Sequence, residues 1–173
     1  VLAGIENLKG SAFDDVLIGR AETTILDGGA GNDILDYSHS LGGVSVNLAT
    51  NFAFGGFATG DVISNFENLR GSDAADDLAG TNGANQLFGG DGNDTLYGFA
   101  GMYMIYGGAG NDLVLVGADA DIIDGREVSD TVSDGTSYAG DFFEFCTKYV
   151  SGGAAVGDWR CSRQNSLGAC LYA

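Results

Sequence analysis

The chain has 173 residues, enough for one ordinary domain or a short repeat array, so pattern rather than length decides between them. Thirty glycines, no proline and a formal net charge of −17, from 24 acidic and 7 basic side chains, exclude an ordinary packed helical domain. That acidity repels nucleic acid and anionic membranes and favours cations as counterparts, while 45% apolar residues is too many for a disordered chain.

No apolar run reaches the length of a membrane span, and no charged-then-apolar leader opens the chain. It starts at Val1 and is expected to be a piece of something larger.

From Gly10 to Asp36 the chain divides into three nine-residue units, with Asp15, Thr24 and Asp33 at the sixth place and Leu17, Leu26 and Leu35 at the eighth. The spacer, 37–70, follows. Within it Val44-Ser45-Val46-Asn47-Leu48 alternates as a strand does, and Asp61-Val62-Ile63-Ser64-Asn65-Phe66-Glu67-Asn68-Leu69 leads into the next block. We read the spacer as additional coils with longer loops that carry the same sheets. His39, in Tyr37-Ser38-His39-Ser40, is the only histidine and reads as a solvated loop residue.

From Gly71 to Ser133 seven more units run without insertion or deletion, beginning at Gly71, Gly80, Gly89, Gly98, Gly107, Val116 and Gly125. Their eighth residues are all apolar: Leu78, Leu87, Leu96, Ile105, Val114, Ile123 and Val132. The two blocks share one internal phase, and a longer repeat encloses them. Glu6-Asn7-Leu8-Lys9-Gly10-Ser11 returns as Glu67-Asn68-Leu69-Arg70-Gly71-Ser72, and Gly28-Gly29-Ala30-Gly31-Asn32-Asp33 returns at the same offset as Gly89-Gly90-Asp91-Gly92-Asn93-Asp94.

After Ser133 the rule fails. All three cysteines, Cys146, Cys161 and Cys170, lie in this tail, so no disulfide framework supports the main body. Gly152-Gly153-Ala154-Ala155-Val156-Gly157-Asp158 echoes Gly55-Gly56-Phe57-Ala58-Thr59-Gly60-Asp61, as though a further long repeat had begun. The tail, 134–173, is either the trace of a reading-frame change or a terminal cap of the kind repeat arrays need.

Physics converts the spacing into shape. Glycines at the first, second and fourth places permit positive φ angles and close backbone approach in a tight turn. The three residues after the sixth form a very short strand whose middle side chain faces inward. Two nine-residue units, each a turn and a strand, close one coil, and coils stack by parallel pairing at about 4.8 Å. The expected fold is all-β, a parallel β-roll over 1–133, with its nonapeptide blocks at 10–36 and 71–133.

Gly89-Gly90-Asp91-Gly92-Asn93-Asp94-Thr95-Leu96-Tyr97 and Gly107-Gly108-Ala109-Gly110-Asn111-Asp112-Leu113-Val114-Leu115 resemble the RTX, or haemolysin-type calcium-binding, nonapeptide, with another full copy at Gly28 to Asp36. The resemblance implies a right-handed, β-helix-like solenoid in which glycine-turn carbonyls and the sixth-place carboxylate bind Ca²⁺ between turns one coil apart. Oxygen-only ligation suits a hard cation of this size. The implied metal residues are Gly10, Asp15, Gly28, Gly29, Gly31 and Asp33 in the first block. In the second they are Asp76, Gly89, Gly90, Gly92, Asp94, Gly107, Gly108, Gly110, Asp112 and Asp130.

Electrostatics agrees, because carboxylates stacked one coil apart repel by roughly 1 kcal/mol per pair even in water. Counting two units per coil puts Asp76, Asp94, Asp112 and Asp130 on one edge and Asn85, Tyr103 and Asp121 on the other, so calcium is expected along the first and weak or absent sites along the second. Arg126 and Val128 stand where the family has glycine, and a β-branched valine resists a left-handed turn; Asp130 is thus the weakest rung. On the degenerate edge Tyr103, with Phe88, Met104, Tyr106 and Ile122, either replaces metal bridging by stacked side chains or forms an apolar docking strip.

No enzyme is expected. One histidine rules out histidine-pair metalloprotease motifs, and neither a Gly-x-Ser-x-Gly elbow nor a phosphate-binding loop is present. An EF-hand fails because Asp119-Ala120-Asp121-Ile122-Ile123 puts isoleucine where an oxygen ligand belongs. The resemblance implies a secreted or cell-surface module of a larger protein, exported by type I secretion and folded by calcium outside the cell. The alternative it implies is a polysaccharide-binding accessory or adhesin segment of a carbohydrate-modifying protein.

Overall fold

The computed structural model describes residues 7–117, 119, 121–125, 130–134, 142–148 and 159–165. Among the described residues the chain is all-β apart from one 3-10 turn at Gly56–Ala58. In chain order the strands are β1 (Asn7–Lys9), β2 (Val16–Ile18), β3 (Ile25–Asp27), β4 (Ile34–Asp36), β5 (Ser45–Asn47), β6 (Phe52–Phe54), β7 (Val62–Ser64), β8 (Asn68–Arg70) and β9 (Asp77–Ala79). There follow β10 (Asn85–Asp91), β11 (Thr95–Tyr97), β12 (Tyr103–Ala109), β13 (Leu113–Val116), β14 (Ile122–Asp124), β15 (Thr131–Asp134), β16 (Phe142–Lys148) and β17 (Trp159–Asn165).

The nine-residue ruler explains these short strands. The first six places of each unit are consumed by the turn, leaving the seventh to ninth to pair. The middle one points inward, so Leu17, Leu26, Leu35, Leu78, Leu87, Leu96, Ile105, Val114 and Ile123 are all buried and form a core one side chain wide. Removing such a side chain from water contributes about 1.5–3 kcal/mol. With few interior contacts per coil, much of the cohesion falls to backbone pairing and to the corners.

Successive strands alternate between two faces. One face is a sheet in the order β17-β16-β14-β12-β10-β8-β4-β2. The other carries two sheets, β1-β3-β7 and β15-β13-β11-β9-β5-β6, with β6 packed against β7. Pairing is parallel with partners one coil apart inside each block, as in Leu17↔Leu35, Leu78↔Leu96 and Leu87↔Ile105.

The spacer departs from the expected longer coils. β5 does carry the sheet on to β9, but it also pairs antiparallel with β6, making a hairpin inserted into the parallel stack. Beyond it the coil closes through β7 on β3 and β8 on β4, so that Ile25↔Val62 and Ile34↔Asn68 span nearly twice the sequence separation of a regular coil. This insertion moves the chain half a coil. β1 and β8, which the long repeat superimposes in sequence, therefore lie on opposite faces.

In the tail, β16 extends the eight-stranded sheet in parallel beside β14, and β17 returns antiparallel to it, with Cys146 and Cys161 at one register position.

Candidate metal centre

The corners between strands fall on two edges of the roll. Corners entering the eight-stranded sheet place Asp15, Asp33, Glu67, Asn85, Tyr103 and Asp121 one above another, immediately before or at the start of β2, β4, β8, β10, β12 and β14. Corners leaving it place Thr24 and Asp61 together, and then Val44, Asp76, Asp94, Asp112 and Asp130. The half-coil shift has a consequence that spacing inside the blocks does not disclose. The acidic pair of the first block sits on the edge that is degenerate in the second, so the two acidic ladders occupy opposite edges.

Glycine is needed in these turns for two separate reasons. Gly90 and Gly108, at the second place, take φ of 123° and 109°, in the left-handed region that L side chains rarely adopt. Gly89 and Gly107, at the first place, are required for room: a Cβ on Gly89 would strike Asp94 Oδ2 and the Gly107 carbonyl, and one on Gly107 would strike Asp112 Oδ2. Gly28 is confined in the same way by Asp33 and by the carbonyl of Asn65.

Each ladder carboxylate receives a main-chain N–H from the coil before it. Asp76, Asp94 and Asp112 donate to Oδ1 of Asp94, Asp112 and Asp130 at 2.9, 2.9 and 3.0 Å, and Val44 starts the series by donating to Asp76 Oδ1 at 2.7 Å. In the first block Asp15 donates to Asp33 Oδ1 at 2.8 Å, and Asp33 in turn donates to Glu67 Oε2 at 2.9 Å. A second file of fifth-place side chains runs beside it, with Asn111 N–H on Asn93 Oδ1 and Asn32 N–H on Asp14 Oδ1, both at 2.8 Å.

The other carboxylate oxygen divides the rungs into two kinds. Where serine holds the second place, it folds over its own unit's aspartate: Ser11 donates its N–H and hydroxyl to Asp15 Oδ2 at 2.6 and 2.8 Å. Ser72 likewise donates its N–H to Asp76 Oδ2 at 2.6 Å and its hydroxyl to Oδ1 at 2.9 Å. Where glycine holds that place, the serine donors are gone. Oδ2 of Asp33, Asp94 and Asp112 is buried and accepts no hydrogen bond. A buried carboxylate oxygen left so is strongly destabilising unless a proton or a cation meets it.

The titration of the second-block ladder follows burial, whether serine or glycine holds the second place. Burial raises the Asp94 carboxyl from its ordinary value of 3.8 to about 7, with the charges of Asp76, Asp112 and Asp91 adding to it. Burial also raises Asp130 to about 6 and pushes Asp76 and Asp112 upward. Asp15 moves the other way, held down by the N–H and then the hydroxyl of Ser11.

On the degenerate part of each edge a tyrosine fills the corner. Tyr103 is buried, its N–H donates to Asp121 Oδ1 at 2.9 Å, and its hydroxyl donates to the Thr81 carbonyl of a neighbouring coil. Its ring and the Asn85 side chain occupy the space a Cβ on Gly80 would need. Tyr37 does the same on the other edge, filling the space beside Gly19 and donating to Asp61 Oδ2 at 2.7 Å. Tyr103 therefore bridges coils from inside and does not belong to an exposed apolar strip; Met102 and Ile122 are the exposed members there.

Among the described residues no three His, Cys, Asp or Glu side chains converge, so an ion at these corners must draw most of its ligands from main-chain carbonyls. The corners suit that chemistry. The Gly28 and Gly89 rungs join the buried, unsatisfied carboxylate oxygens of Asp33 and Asp94 to a carbonyl of the next coil, an all-oxygen set appropriate to calcium, and the unsatisfied Asp112 Oδ2 stands against Gly107 in the same way. Asp33, Asp94 and Asp112 lie within these corners, Asp130 confines Gly125 in a unit whose second residue is Arg126, and Asp15 and Asp76 are closed over by serine. Arg126 and Val128 lie outside the described residues. Glu67, Asp61 and Tyr37 escaped the sequence reading because no nonapeptide unit contains them in its register; the signal for Glu67 was its recurrence in the long repeat, ahead of Asn68-Leu69.

A family model described as the RTX calcium-binding nonapeptide repeat (4 copies) matches residues 2–35, 70–101 and 104–132, more than half of the chain. A comparison with curated proteins finds no match.

Proposed function

Because the chain belongs to the RTX calcium-binding nonapeptide repeat family, we propose that it is the calcium-triggered folding module of a larger exported protein, carrying no catalysis of its own. Its repeats bind calcium, and several repeats take several ions. We place those ions between stacked turns: between Gly10–Asp15 and Gly28–Asp33 on one edge, and along Asp76, Asp94, Asp112 and Asp130 on the other. The glycines of those turns supply carbonyls and the aspartates supply charge. Within 134–173 we read β16 and β17 as part of a terminal cap, the alternative being a reading-frame change in this tail.

The observation that carries this reading is the buried, unsatisfied Oδ2 of Asp33, Asp94 and Asp112. Stacked carboxylates in that state oppose folding until a divalent cation neutralises them. Affinities on the order of 10⁻⁴ to 10⁻³ M, usual for extracellular calcium modules, make millimolar calcium the trigger. Among the described residues no helix is long and apolar enough to cross a membrane. Circular dichroism of the chain in chelator and then in millimolar calcium tests the proposal, with coil expected to give way to β signal. Full strand signal in chelator sinks it.

The alternative, a polysaccharide-binding module, draws on a groove of about 610 Å³ lined by Phe88, Asp91, Tyr106 and the glycine corner beside them. The aromatic faces that a sugar ring would need are largely taken. Phe88 and Tyr106 stack on each other at 4.9 Å, and the Arg70 guanidinium covers Phe88 at 5.1 Å, from the strand on its other side. A glycan array on the calcium-loaded chain separates the readings, retention of a polysaccharide favouring the second.

A further inference from the structure

We infer that the spacer contains a calcium site of its own, formed where the three-residue turn Asn65-Phe66-Glu67 lies under the Gly28–Asp33 turn. The inference rests on the calcium reading above and adds residues that the repeat does not supply. The family match stops at residue 35 and resumes at 70, so Asn65 and Glu67 stand outside it.

This turn has half the length of a nonapeptide turn and contains no glycine, yet it reproduces both features of a glycine rung. In the regular rung, Gly89 is confined by Asp94 Oδ2 and the Gly107 carbonyl, and Asp94 N–H donates to the carboxylate of Asp112 at 2.9 Å. Here Gly28 is confined by Asp33 Oδ2 and the Asn65 carbonyl, and Asp33 N–H donates to the carboxylate of Glu67 at 2.9 Å. Asn65 reaches this position with φ of 56°, a conformation that asparagine tolerates better than most residues. Phe66 is buried and fixes the turn against the core, leaving Glu67, with its longer side chain, to span what a six-residue turn would otherwise cover.

Two oxygens thus press on one small space. Asp33 is fully buried and its Oδ2 accepts no hydrogen bond, while the Asn65 carbonyl stands beside the same glycine. The described ion pairs involve Lys9 with Asp27 and Arg70 with Asp36, so neither cation is placed on Asp33. A carboxylate, a carbonyl and a second carboxylate on one corner are hard oxygen donors of the kind calcium takes. The location gives the site a purpose. Strands β4 and β8 pair across the long insertion, and an ion between Asp33 and Glu67 clasps the two ends of the inserted hairpin, offsetting the entropy of closing that loop.

The test uses the full chain, its Glu67→Gln variant, an Asp112→Asn variant as a comparator and the double variant, with bound calcium counted by equilibrium dialysis and atomic absorption at millimolar calcium. Glutamine still accepts the Asp33 N–H but loses the charge, so Glu67→Gln is expected to bind one ion fewer than the parent. Loss in the double variant should equal the two single losses together. An unchanged count and affinity in Glu67→Gln overturns the inference while leaving the nonapeptide sites standing, and a parent chain that binds no calcium removes the reading on which both depend. Hydrogen exchange on the unmutated chain gives an answer that needs no variant. Amides of 28–33 and 65–68 should gain protection at one shared calcium midpoint, and protection of 28–33 with none at 65–68 refutes the clasp.

Discussion

A single carboxyl group, that of Asp94, shows how the roll couples protons to calcium. Burial and the neighbouring carboxylates hold it at about 7, against an ordinary 3.8 in an unfolded chain. Between these values the folded, calcium-free chain binds a proton that the unfolded chain does not, so stability is greatest below about pH 4, falls as pH rises towards 7 and is level above it. Asp130, raised to about 6, acts in the same direction over the lower part of that window. Acidification of the chelated chain from pH 7 to about 4.5 should therefore increase its β signal, and the calcium needed for folding should rise from pH 5 to about pH 7 and be level above it. A chelated chain that loses structure steadily on acidification, as most proteins do, would show that these carboxyls are not buried as described. Asp15 predicts the contrast: with Ser11 donating to it and holding its carboxyl low, its protonation opposes folding.

At the scale of the turn and its strand, the corners are closed in two chemically distinct ways, and Tyr103 tests the distinction. Its hydroxyl bridges to Thr81 and its ring fills the corner at Gly80, a job done elsewhere by charge. In saturating calcium Tyr103→Phe should lose about 1 kcal/mol, the net worth of one hydrogen bond, and Tyr103→Ala about 3–5 kcal/mol for the cavity, both without changing the number of bound ions. Urea unfolding with ion counting reads both quantities, and a changed ion count would place metal where we place the ring. Strand positions and core residues were legible in the sequence because the nine-residue period assigns each side chain a direction: the eighth-place Leu78, Leu87 and Leu96 are buried as expected. The hairpin of β5 with β6 was not, since alternation in Val44–Leu48 reports a strand but not the direction of its partner. Nor was the half-coil shift, because a period fixes position within a coil only until an insertion of unknown path intervenes. The difference between Gly90 and Ser72 at the second place, which separates unsatisfied rungs from closed ones, is a hydrogen-bonding fact that repeat alignment treats as a conservative change.

For the whole molecule, the question is whether two acidic ladders on opposite edges fold as one unit or two. Repeat arrays have stability that is roughly a sum of unit and nearest-neighbour terms, so an insertion such as residues 37–61 is a natural place for cooperativity to break. The sheet topology argues against a break. β8 pairs with β4 on one side and β10 on the other, so one hydrogen-bonded sheet runs through the spacer, while on the other face β6, at the end of the second block's sheet, packs against β7 of the first. Any ion that binds only the folded roll adds RT ln(1 + [Ca²⁺]/Kd), which well above Kd is about 1.4 kcal/mol for each tenfold rise in free calcium. If both blocks unfold together, the slope of unfolding free energy against log free calcium counts the ions of both ladders. We expect one urea transition, coincident by circular dichroism and tyrosine fluorescence, with a slope several times that of a single ion. Substituting Asp33 by Asn should lower that slope and shift the whole transition, including the signal from the second block. Two separated transitions, with Asp33→Asn moving only one of them, would mean that the spacer insulates the ladders and that each edge responds to calcium by itself.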